Sequence, residues 1–124
     1  MIRIVGVQRS ESPDSEFVLL QNQSGRRLPL KGHGVVSETA LATGDLSVAA
    51  HLLNEDELIP TGFYVMLVTG QGDNRWTRTK DGAHIYMSFM NRPRSVWYNY
   101  PGPLHVLCTQ HTYVERTSEP LLLR

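Results

Sequence analysis

Residues 16–22 read EFVLLQN. In a strand, alternate side chains point to opposite faces. Phe17 and Leu19 then share one face, Val18 and Leu20 the other, and both pairs are apolar. A strand that is apolar on both faces belongs in the interior of a sheet. The stretch QNQSGRRLPL after it is turn-like, with Gly25 suited to a positive φ.

Working outward, strands dominate. Upstream, Ile2 to Val7 (IRIVGV) is β-branched, with Gly6 placed for a bulge, and the polar loop RSESPDS follows. Downstream, His33 to Ser37 reads as a short strand. The segment ALATGDLSVAAHLLNEDEL combines good helix formers with Asp45 as a candidate cap. A short helix over 46–53 and a strand fit that segment equally well. Ile59 to Gly62 is a turn, and Phe63 to Thr69 (FYVMLVT) is a strand. TGQGDNRW and TRTKDG read as turn and polar loop, and Ala83 to Phe89 as a further strand. Leu104 to Thr109 and Thr112 to Arg116 alternate and flank Gln110-His111, which predicts a hairpin, and SEPLLLR is a terminal tail. Roughly seven to nine short strands separated by turns predict an all-β sandwich. A chain of 124 residues suits one domain over 1–124.

Twelve basic and twelve acidic residues give zero net charge, so no global basic signal for nucleic acid exists. The balance is uneven along the chain. Residues 1–60 carry five basic against eight acidic side chains. Residues 71–100 carry Arg75, Arg78, Lys80, Arg92 and Arg94 against Asp73 and Asp81. No apolar run is long enough to span a bilayer, and MIRIVGVQRS is not a signal peptide. A cytoplasmic chain is expected as given, or an extracellular one where the domain belongs to a longer exported protein.

Catalytic and metal signatures are missing. The five histidines form neither HxH nor HExxH, and one cysteine, Cys108, cannot build a Cys-pair zinc site. Cys108 beside Val106 reads as inert packing, and His105 as half exposed on the opposite face. No nucleophile motif occurs, TGQGD lacks the GK[ST] of a phosphate loop, and NEDE lacks calcium-loop spacing. The expectation is a non-enzymatic protein without a cofactor.

Three blocks, taken in order, resemble a known family. EFVLLQNQSGRRLPLKGHGV (16–35), LIPTGFYVMLVTGQG (58–72) and SVWYNYPGPLHVL (95–107) are similar to the ordered motifs of lamin tail domains. The resemblance implies an immunoglobulin-like β-sandwich that binds or tethers rather than catalyses, with proteins, cell-surface components or nucleic acid as partners. It falls on Glu16, Phe17, Val18, Leu20 and Asn22, then Leu30 and Gly32, Pro60 and Gly62, Gly70 and Gly72, and Val96, Trp97 and Asn99. Asn22 should fix the turn after its strand. The sequence departs from the family at His33, where tryptophan is usual, at Pro103, where aspartate is usual, and at Gln110-His111.

Two basic-aromatic stretches are the candidate partner-binding residues. One is Arg75, Trp76, Arg78 and Lys80; the other is Arg92, Arg94, Tyr98 and Tyr100, around a bracing Trp97. With Trp97 inward, alternation sends Tyr98 and Tyr100 outward. The leading expectation is a tethering module that presents these loops on a flat surface to a protein or cell-surface partner. Binding of nucleic acid or another polyanion by the same residues is the alternative. A homo-oligomer joined through strand edges or the leucine tail is the third.

Overall fold

A computed structural model describes residues 1–108. The predicted strand Thr112 to Arg116, the Gln110-His111 hairpin and the SEPLLLR tail lie outside the described residues. The chain is all-β. Strands β1 (Ile2–Gln8), β2 (Phe17–Asn22), β7 (Tyr64–Val68), β8 (Arg75–Arg78) and β9 (His84–Phe89) form a five-stranded sheet in the order β1-β2-β7-β9-β8. Strands β4 (His33–Ser37), β5 (Ala50–Leu52) and β10 (Leu104–Cys108) form a three-stranded sheet in the order β10-β4-β5. The short β3 (Leu28–Pro29) and β6 (Leu58–Ile59) pair with each other. All these pairings are antiparallel except β7 with β9.

The core lies between the sheets. Val18, Leu20, Val65, Leu67 and Tyr86 enter it from the five-stranded sheet. Val35, Leu53, Leu28, Ile59 and Trp97 meet them from the other side. As EFVLLQN implied, β2 is an interior strand, with β1 and β7 on its flanks. The register of β1 against β2 shifts between Ile4 and Gly6, the bulge expected at that glycine.

Two buried polar side chains at the ends of EFVLLQN tie the layers together. The side chain of Asn22, fully buried, donates from Nδ2 to the carbonyls of Arg26 (2.9 Å) and Ile59 (2.8 Å). Its Oδ1 accepts from the Ser24 amide at 2.9 Å. Asn22 thus fixes the turn, and Gly25 is not among the residues with positive φ. At the other end, Glu16 is also fully buried. Its Oε2 accepts from Thr69 Oγ1 (2.8 Å) and from the backbone amides of Val96 (2.8 Å) and Trp97 (3.1 Å). Each is an otherwise orphaned donor in the interior.

Several expectations need correction. Of the two readings of 46–53, the strand holds in part, as β5 (Ala50–Leu52), and the short helix is α1 (Glu38–Thr43) instead. Ser37 Oγ caps it by accepting from the Ala40 amide at 3.1 Å, and Gly44 ends it at φ 73°. Asp45 instead closes a turn, accepting from the amide (3.0 Å) and hydroxyl (2.6 Å) of Ser47, and the chain then enters β5. Arg75 to Arg78, read as loop, is strand β8, held by pairing to β9. Cys108 is exposed at the end of β10 rather than packed inside. His105, by contrast, is half exposed as expected, and pairs with Glu38 (Nε2 to Oε1, 2.5 Å).

Candidate binding face

The register of the five-stranded sheet places its outward side chains in three cross-strand ladders, because directly opposed residues share a face. One runs Gln8, Phe17, Val68, Phe89. The next runs Gly6, Leu19, Met66, Met87, Arg75. The third runs Arg3, Gln21, Tyr64, Ile85, Thr77. Across β2, β7 and β9 this leaves Phe17, Leu19, Tyr64, Met66, Val68, Ile85, Met87 and Phe89 as one band, interrupted only by Gln21. All but Val68 are partly exposed, and none belongs to the core cluster or packs against it. Scattered apolar residues on a surface are ordinary; a contiguous band is the mark of an interaction site.

At the Phe89 end the band opens into a cleft of about 480 Å³. Val68 and Phe89 lie in its lining with Pro13, Pro93 and Gln71, and Asp14 and Arg92 are its charged groups. The Arg75 guanidinium stands over the Phe89 ring, 5.5 Å from its centroid. Arg75 thus meets the Phe89 ring, while Arg92, from the second basic stretch, lines the same cleft and donates from Nη2 to the Ala50 carbonyl at 3.4 Å.

The other candidates divide. Trp76 pairs with Tyr86 and so turns toward the inner face of the sheet. Its ring meets Tyr86 edge-on at 5.3 Å and Phe63 at 6.0 Å, and its Nε1 donates to Glu57 Oε2 at 3.1 Å. Arg78 lies at the far end of β8, opposite His84, and Lys80 follows in the adjoining turn, both exposed. The five cations do not make a single patch. Arg94 and Tyr98 line a separate hollow with Glu11, Pro13 and Pro93, on the other side of the two prolines from the cleft.

Trp97 is fully buried, and Tyr98, 45% exposed, points out as expected. Tyr100 does not. Its amide donates to the Trp97 carbonyl at 2.9 Å, a turn that breaks the alternation, and its side chain packs against the core. Arg9 also braces this loop, with Nε on the Trp97 carbonyl (3.1 Å) and Nη2 on the Gly102 carbonyl (2.5 Å).

Beneath β8 and β9, on the inner side, Glu55 accepts hydrogen bonds from Asn74 and Ser88. Burial, then the nearby Glu55 and Glu57, push the Tyr86 phenol up. Among the described residues no group of three or more His, Cys, Asp and Glu side chains gathers in metal-binding geometry. Among the described residues no helix is long and apolar enough to cross a membrane. Compared with known proteins, the chain matches no family model, no curated protein and no solved structure.

Two histidines link this architecture to pH. Burial lowers the pKa of His33, against its hydrogen bond to the Leu30 carbonyl; burial and then Arg92 lower that of His51, against Glu55. In the unfolded chain both titrate near 6.5. The folded state binds these protons less readily, so this contribution to stability is complete above that value. It is lost as pH falls below it toward the depressed folded pKa values. Melting temperature is expected to drop as pH is lowered through this window, and to drop less in the His33→Gln and His51→Gln variants. Equal pH profiles in the wild type and both variants would contradict this account.

Proposed function

We propose that the chain is a non-enzymatic binding module that engages a protein partner through the outer face of its five-stranded sheet. The observation that carries this reading is the apolar band of Phe17, Leu19, Tyr64, Met66, Ile85, Met87 and Phe89, left open to solvent where a sheet normally turns polar. Methionine-rich surfaces adapt to partners, because the thioether side chain is flexible and polarizable. The lamin-tail-like order of the three sequence blocks supports the same class of function, since that family binds or tethers. The loops proposed from sequence retain a smaller part: Arg75 and Arg92 at the end of the band, with Trp76 and Tyr100 as framework.

Site-specific photocrosslinking tests the proposal in cells that naturally produce the protein. A benzophenone side chain at position 66 or 87 is expected to give a discrete adduct with another protein. The same group at Leu46, which is 50% exposed but not on the sheet, should give none. Identical adduct patterns from all three positions, or no adduct from any, would sink the proposal.

A further inference from the structure

We infer that the partner segment seated on this face is an amphipathic helix of two to three turns whose apolar stripe is flanked by carboxylates. This rests on the face being the binding surface. Four observations narrow the occupant, beginning with charge. The five strands hold Arg3, Arg75 and Arg78 and not one acidic residue, in a chain whose total charge is zero. Arg3 and Arg75 stand in the outward ladders on the two edge strands, β1 and β8, so the apolar band runs between guanidinium borders.

The second observation is hydrogen bonding. Each of β2, β7 and β9 is already paired on both sides. The face therefore has no free ladder of backbone donors and acceptors to complete an extended peptide. A partner must arrive with its own backbone satisfied, as a helix does.

The third is size. From β2 to β9 the band is about 10 Å across at the usual strand spacing. That matches the ~10–12 Å width of a helix with side chains. Along β7, Tyr64 to Val68 spans about 14 Å, or two to three helical turns.

The fourth is what the face lacks. A second copy of this chain would bring arginine borders against arginine borders, with no carboxylate from either sheet to answer them. A bilayer is a poor match as well, because the apolar groups lie flat within the sheet rather than projecting from a loop. The Phe89 end fits the same partner: Arg75 stands over that ring and Arg92 lines the adjoining cleft, with Asp14 the one carboxylate in the cleft lining.

The test uses the full chain and two fluorescent, lactam-stapled synthetic helices. Both carry leucines at i, i+3, i+4 and i+7; one has glutamates on the flanks, the other lysines. Anisotropy at low salt is expected to show the glutamate helix binding about five- to ten-fold more tightly, the range that a few surface ion pairs supply. The difference should shrink with added salt. Met66→Glu and Met87→Glu should each abolish binding, and Arg3→Glu with Arg75→Glu should reverse the preference, with thermal melts confirming folded protein.

Equal binding of the two helices would overturn the carboxylate assignment while leaving the face intact. Binding that survives Met66→Glu would overturn both the inference and the face. No binding of either helix up to about 1 mM, the limit of weak specific recognition, would overturn the helix. A dimer in sedimentation that Met66→Glu dissolves would give the face to a second copy instead. Sedimentation with anionic vesicles, without binding to either helix, would give it to a membrane surface.

Discussion

Replacing Glu16 with alanine is expected to lower the free energy of unfolding by about 3–5 kcal/mol, a large part of the stability of a domain this size. The side chain is completely buried, so no water replaces what is removed. Three donors lose their acceptor together: the Thr69 hydroxyl and the amides of Val96 and Trp97. A buried donor left unpaired costs about 1–3 kcal/mol, and the hole left by the side chain adds to it. Glu16→Gln keeps the volume and one acceptor oxygen. It can still face the three donors, but its NH2 group then opposes the Ser10 amide, which now donates to Oε1 at 3.3 Å. Its expected cost is about half that of alanine. Glu11→Ala, at an exposed position five residues earlier, should change stability by less than about 0.5 kcal/mol. Urea unfolding of the four proteins measures all of this. A Glu16→Ala protein within 1 kcal/mol of wild type would show that the carboxylate does not hold the loop.

The second large effect is expected at Trp97. Truncation to alanine should cost about 3–5 kcal/mol, as for other large buried aromatics. The informative variant is Trp97→Phe. The indole Nε1 is buried and has no acceptor among the described residues. Its loss removes an unsatisfied donor along with some packing, and the two partly offset. Phenylalanine should therefore cost less than half as much as alanine. A Trp97→Phe variant as unstable as Trp97→Ala would mean the N–H has a partner after all. Because Glu16 and the Trp97 side chain anchor the same loop, the Glu16→Ala/Trp97→Ala double variant should be more stable than the sum of the two losses predicts.

The strands rich in β-branched and aromatic residues were legible in the sequence, because local composition and burial agree there. β8 was not legible. All four of its side chains are exposed, so no alternation marks it; it is a strand because β9 offers a ladder. The choice between helix and strand over 46–53 stayed open for a related reason. Helix-forming composition extends across 38–58, and the caps at Ser37 and Gly44 decide which six residues use it.

The two-faced apolar pattern of EFVLLQN correctly indicated an interior strand, but it could not tell whether the second face is covered. Within the described residues it is not, and that is where the candidate site lies. The basic-aromatic stretches drew attention by composition, yet Trp76 and Tyr100 serve the framework. Their partners, Glu57 and the core, are distant in sequence. The role of Glu16 was equally hidden, since its partners Val96 and Trp97 follow it by 80 and 81 residues.

That separation bears on the order in which the protein is made. During synthesis, β2 and its buried glutamate leave the ribosome long before residues 96 and 97 exist. Until then the carboxylate has no amides to receive, and the core lacks its largest side chain. Such distant contacts make folding slow, because a long loop must close before they form. The nascent chain therefore passes through an interval in which both faces of β2 are apolar and open. A partner bound to the outer face during that interval would shield half of the exposed surface, so assembly and folding of this protein would be coupled in time.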